Sequence, residues 1–239
     1  MSRTPSALMA AALLLALAAC GDGSAPAPPP VTANRVIDYA PLRPPDVTES
    51  DWPQFFHEDW ALGPPGGTLD SVSLGYDKEA PGALGGSLTL GLGAADDAGT
   101  RVCVEDRPGD DFVVYENVFA VGGGGTYIEV ATVSVSEDNA VWYTFAHRVL
   151  QEESSDPAGY SGFAGVTPTA QGGDRFDLEV LIAAESPPPE GWQACYVRLV
   201  DGGTLYPDYG NTQSDLWSTG ADIDAVEVLH AVEAPGLSP

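Results

Sequence analysis

From Asn34 onward, short runs of β-branched and aromatic residues recur between turn signals, and no window sustains an apolar period of 3.6 residues. The pattern predicts strands. They are expected near 35–39, 70–74, 86–92, 101–105, 111–116, 126–136, 141–146, 176–184, 193–200 and 222–230, separated by Gly-Gly, Pro-Gly and Asp-Asn. The best defined run is Arg107 to Phe119. There a Pro-Gly turn and Asp110-Asp111 lead into Phe112 to Tyr115, and Glu116-Asn117 breaks the apolar pattern. A buried strand with oxygen ligands at both ends is the expectation. Glu152 to Gly173 and Asp201 to Thr219 interrupt the alternation with glycine, polar residues and scattered aromatics, the composition of functional loops. Trp52 to Leu62 is open to a short helix.

At 239 residues, 44% hydrophobic and 18% charged, the chain suits one domain with one sizeable core, and its 28 glycines and 21 prolines suit an all-β fold with many turns. Net charge is −26, from 35 acidic against 9 basic residues, with Lys78 the only lysine. Nucleic acid and anionic lipid are therefore poor partners, because neutralising phosphate takes clustered Lys and Arg. The acids are spread along the chain, which favours a solvated, self-repelling surface over a cation-binding one.

At the N-terminus, Arg3 precedes an apolar run from Ala7 to Ala19, too short to span a bilayer as a stable helix, and Leu17-Ala18-Ala19-Cys20 closes it. This resembles a bacterial lipoprotein signal with its lipobox. The resemblance implies a signal peptide over 1–19, lipidation of Cys20, and membrane attachment at the cell envelope through that lipid. Gly21 after the cleavage point leans toward the outer membrane. Residues 20–33, rich in Pro and Ala, form the expected tether, and 34–239 the sandwich domain. With Cys20 used by lipid in an oxidising compartment, Cys103 and Cys195 are expected to form a disulfide, two buried free thiols being the alternative.

Thr132 to Phe145 and Ala194 to Leu199 resemble the hairpin and a later strand of galactose-binding-like sandwiches such as discoidin domains, and Ile223 to Leu229 resembles their closing strand. Further motifs resemble an uncharacterised group of bacterial cell-surface proteins. They are Ala61-Leu62-Gly63-Pro64-Pro65, Ser73-Leu74-Gly75, Gly85 to Leu90, Arg107 to Asn117, Ala164-Gly165 with Asp177-Leu178, and Gly220 to Val226. Together these resemblances span roughly Asn34 to Val232. They imply an all-β fold, an antiparallel β-sandwich of jelly-roll, galactose-binding-like type.

Calcium is the expected cofactor, since a hard cation takes six to eight oxygens and Asp110, Asp111, Glu116, Asn117, Asp222 and Asp224 stand near strand ends, with Asp174 and Asp177 as further donors. Period two would put Asp222 and Asp224 on one strand face, and Asp224 resembles by position the last calcium ligand of carbohydrate-binding jelly rolls. Against this, strand-end acids often cap backbone amides. Glycan or another extracellular polymer is the expected ligand. Its candidate residues are the loop aromatics Tyr160, Phe163, Tyr206, Tyr209 and Trp217 beside Asp174, Asp177, Asn211 and Gln213, because sugars stack on rings and bond to carboxylates and amides. Of Trp142 and Tyr143, on opposite strand faces, one should enter the core; Trp52, Trp60 and Trp192 are expected to pack.

No enzyme is expected. His57-Glu58 is followed by Ala61 where a zinc protease needs its second His, and Gly159-Tyr160-Ser161-Gly162 lacks the nucleophile-elbow spacing. A paired-carboxylate hydrolase stays open as an alternative to the binding module, as does a structural or adhesive envelope component with no small ligand.

Overall fold

Period-two burial explains the architecture. Along Tyr196–Asp201 the side chains of Val197, Leu199 and Asp201 are buried while Tyr196, Arg198 and Val200 are half-buried, the signature of a sheet with one face on a core. The computed structural model describes residues 30–42, 55–66, 71–93, 100–117, 119–120, 126–207, 209 and 220–235. The first eight strands are β1 (Val31–Thr32), β2 (Arg35–Ala40), β3 (Val72–Ser73), β4 (Ser87–Gly91), β5 (Thr100–Val104), β6 (Phe112–Glu116), β7 (Phe119–Ala120) and β8 (Thr126–Tyr127). The second eight are β9 (Ala131–Ser136), β10 (Tyr143–Thr144), β11 (Arg148–Val149), β12 (Tyr160–Ser161), β13 (Asp174–Phe176), β14 (Tyr196–Asp201), β15 (Asp222–Val228) and β16 (Ala231–Pro235).

Two five-stranded antiparallel sheets result, one ordered β1-β15-β6-β13 with β3 also on β15, the other β10-β9-β14-β4-β2. They share one core, a sandwich-like all-β arrangement. Phe112, Val114, Val226 and Val228 of the first sheet pack in one cluster with Leu88, Leu90, Val133, Val135, Val197 and Leu199 of the second. At its heart Phe112 stacks on Phe176 at 5.1 Å, with Phe145 edge-on to both. β5 and β16 pair beside the sheets, and Cys103–Cys195 ties β5 to the residue before β14, as expected.

Several expectations change. The expected strand at 176–184 ends at Phe176, and α1 (Glu179–Ile182) follows. The cause is capping: the Leu178 and Glu179 amides donate to the carboxylates of Asp111 and Asp177, which turns the chain. Leu178 and Leu181 are then buried, three residues apart, while Val180 and Ile182 stay exposed. The sandwich also starts before residue 34, because β1 pairs with β15 and Ala33 is fully buried. A register shift between Ile223 and Ala225 breaks the period that was to align Asp222 with Asp224. The short helix is a 3-10 turn over Glu58–Ala61. Tyr143 and Trp60 pack against the core, whereas Trp142 lies under Arg198, 3.9 Å from its ring centre. Among the described residues no helix is long and apolar enough to cross a membrane.

Candidate functional site

Asp111, just ahead of β6, organises one end of the molecule. Its carboxylate is completely buried. Oδ1 accepts from the Arg107 amide at 3.0 Å and from His230 Nδ1 at 2.8 Å, and Oδ2 accepts from the Leu178 amide at 2.8 Å. Because an ionised carboxylate only accepts, His230 carries its ring proton on Nδ1. Asp111 also receives the Leu229 amide on its carbonyl and donates its own N–H to Phe176. One residue thus joins the 107–111 turn, the start of α1 and the turn between β15 and β16.

Two further carboxylates converge on it. Asp106, Asp111 and Asp177 each place an oxygen within 4.8 Å of the others, and this triad could hold a metal ion. Asp106 is exposed, and its carboxyl lies above the usual range, through partial desolvation and then through the charges of Asp111, Asp177 and Glu179. Asp177, half-buried, accepts from the Glu179 amide on Oδ1 at 2.9 Å. The donor set is all-carboxylate, which fits a hard cation such as calcium, with water completing the sphere.

The triad stands between two grooves. One, of about 510 Å3, has Glu105 and Asp106 on one side and Ile182, Pro188, Glu190 and Trp192 on the other. The second, of about 500 Å3, is lined by Asp110, Tyr160, Phe163, Asp174, Arg175 and Asp177 among others. Asp106 belongs to the first and Asp177 to the second. Exposed Ile182 and Val180 of α1 reach into them respectively.

The expected calcium set is not gathered around Asp111. Asp110 pairs with Arg175 at 3.5 Å. Glu116 Oε1 accepts from the Asp222 amide, Asp222 Oδ1 takes the Ser73 hydroxyl, Asp224 Oδ1 takes the Gly66 amide, and the Asn117 amide donates to the Asp222 carbonyl. These groups hold neighbouring strands together. The second groove does bring together Tyr160, Phe163, Asp174 and Asp177 as expected ligand residues. However, among the described residues the rings form no exposed platform: Tyr160 is 5% and Phe163 2% exposed, packed with Ile128, Val130 and Val166. The Tyr160 hydroxyl bonds with the amide and carbonyl of Ser154. Tyr206 and Tyr209 are half-buried on the same cluster, Tyr206 donating to His147 Nε2 at 2.9 Å, since His147 Nδ1 faces the Phe145 carbonyl. Asp174 is buried too, its two oxygens each accepting an amide, from Val166 and Thr167, at 3.0 Å, while desolvation pushes its carboxyl up. Cys20, Trp52, Asn211, Gln213 and Trp217 lie outside the described residues.

Two acids were missed by sequence reasoning. Asp106 precedes the Pro-Gly turn, a position whose only signal is a carboxylate before a turn. Asp201 closes β14, fully buried, with Oδ1 on the Gly203 amide and Oδ2 on the Ala221 amide, both at 2.7 Å. Burial, assisted by the Asp222 charge, pushes its carboxyl up to about 7 despite those hydrogen bonds. A Cβ on Gly85 or Gly220 would collide with that carboxylate, so both flanking positions require glycine. No protein-family model and no curated protein matches the chain.

Proposed function

We propose that the protein is an exported lipoprotein, held at the cell envelope and facing outward from the outer membrane through lipid on Cys20. Its sandwich, of jelly-roll, galactose-binding-like type, acts as a non-catalytic module for glycan or another extracellular polymer. The crossovers that place β15 between β1 and β6, and β14 between β4 and β9, support that fold type. The observation that carries the binding reading is the second groove. The loop carrying Tyr160 and Phe163 meets β13 and the turn after it, with Asp174, Arg175 and Asp177, on one lining of apolar and charged groups. Calcium on the triad would set the groove edge through Asp177. The non-catalytic reading draws support from Asp174, whose oxygens are both engaged by backbone amides.

The test is retention of the full chain on insoluble polysaccharides, in calcium and in EDTA. Retention that needs calcium and is lost in Asp177→Asn is the expected result. Failure to be retained on any polysaccharide under either condition would favour the second reading, a structural envelope component with no small ligand, which the burial of Tyr160 and Phe163 supports.

A further inference from the structure

We infer that the other groove, rimmed by Glu105, Asp106 and Glu190, is a docking site for an extended cationic segment of a partner protein. Arg or Lys side chains of that segment meet Asp106 and Glu190 while its apolar residues lie against Ile182, Pro188 and Trp192.

Three observations argue for it. First, the groove is built in advance. Glu105 and Asp106 follow β5 directly, Trp192 and Gln193 precede Cys195, and Cys103–Cys195 joins these two walls. Beside the bridge, Val104 and Ala194 exchange both backbone hydrogen bonds, at 2.7 and 3.0 Å. A preformed cleft keeps the ordering cost of binding low. Second, the charge is one-sided. The lining has three carboxylates and no Lys or Arg; Glu105 is already met by the neighbouring Arg107, which leaves Asp106 and Glu190 for an incoming cation. Third, the apolar wall is fixed and poor in backbone donors. Trp192 is held edge-on to Tyr143 at 5.3 Å, Ile182 is 45% exposed, and the three prolines at 187–189 have no N–H to donate to an added strand. Side chains carry most of the recognition, with cation–aromatic contact available at Trp192. A groove of about 510 Å3 is also far larger than a lone ion needs.

The test is calorimetric titration of the full chain, in EDTA and about 0.1 M salt, with a capped Arg-Leu-Pro-Arg peptide, its Gln-Leu-Pro-Gln counterpart, and spermine. Because net charge of −26 attracts any polycation, the decisive comparison is between variants of equal charge. Asp106→Asn with Glu190→Gln should weaken the Arg peptide about tenfold. Glu152→Gln with Glu153→Gln, exposed and outside the groove lining, should change it less than about twofold. Trp192→Phe, which keeps an aromatic ring against Tyr143, should weaken the peptide and leave spermine unaffected. Equal losses in the two double variants would reduce the effect to bulk charge and overturn the proposal. So would spermine binding as tightly as the peptide, or the Gln peptide binding as tightly as the Arg peptide.

Discussion

Two acidic regions of this molecule use the same side chains to different ends. Around Asp201, Asp222 and Asp224 every carboxylate is buried and takes a donor from a neighbouring strand or loop, so charge is spent on joining segments. Around Asp106, Asp111 and Asp177 only Asp111 is so committed; the other two converge on it from more open positions and leave oxygen facing a groove. What separates an architectural acid from a ligand-capable one is therefore whether burial between strands closes its carboxylate off or a groove keeps it open.

The largest effect expected concerns Asp201. Its folded pKa, about 7, lies above the ordinary 3.8. The folded state thus holds a proton that the unfolded chain releases, and stability from this group is complete below about pH 4 and lost as pH rises through 7. In Asp201→Asn that slope is absent. Urea unfolding from about pH 4 to pH 8 should show the variant gaining on the parent chain by about 4 kcal/mol, at about 1.4 kcal/mol per pH unit. A difference that does not change with pH would mean the carboxylate is solvated, and the buried half of the comparison would fail.

Asp111→Ala should cost about 3 kcal/mol, because the Arg107 and Leu178 amides lose their acceptor and His230 its partner. Loss of α1 signal before global unfolding, seen by hydrogen exchange at 178–182, would sharpen the assignment of Asp111 as the joint between segments. A cost near zero would move it into the ligand-capable class. Reduction of Cys103–Cys195, which closes a span of 92 residues, should cost about 2 to 3 kcal/mol in urea melts, since paired β5 and β16 still hold one wall. An unchanged midpoint would show that backbone pairing alone keeps the acid-rimmed groove in shape.

Strand positions were legible because a half-buried strand writes its period into neighbouring residues, and the disulfide because, with Cys20 expected to carry lipid, two thiols were left to pair. Contacts between distant segments were not. Val180 and Ile182 look like strand residues, and only the distant Asp111, with Asp177 beside them, turns that run into α1. Tyr160 and Phe163 sit in a glycine-rich stretch that resembles a binding loop, yet Ile128, Val130 and Val166 draw them inward. Asp111 and Asp177 could be picked as acids near strand ends. Their meeting with Asp106 depends on how β6 and α1 are packed, which no local pattern encodes.

The smallest effect falls on Asp106 and decides whether the open region binds a cation. In EDTA at neutral pH, Asp106→Asn should leave stability within about half a kcal/mol of the parent, on the stabilising side, because partial desolvation and then the charges of Asp111, Asp177 and Glu179 make ionising this carboxyl oppose folding. Added calcium should reverse the order. An ion bound only by the folded state raises the parent's melting midpoint and saturates, whereas the variant, short of one ligand, should respond at much higher concentration. Asp224→Asn, altered in the architectural region, should start from a lower midpoint but keep the parent's calcium response, since its carboxylate serves the Gly66 amide. If Asp224→Asn loses the response while Asp106→Asn keeps it, the ion sits among the buried strand-joining acids, and the two regions exchange roles.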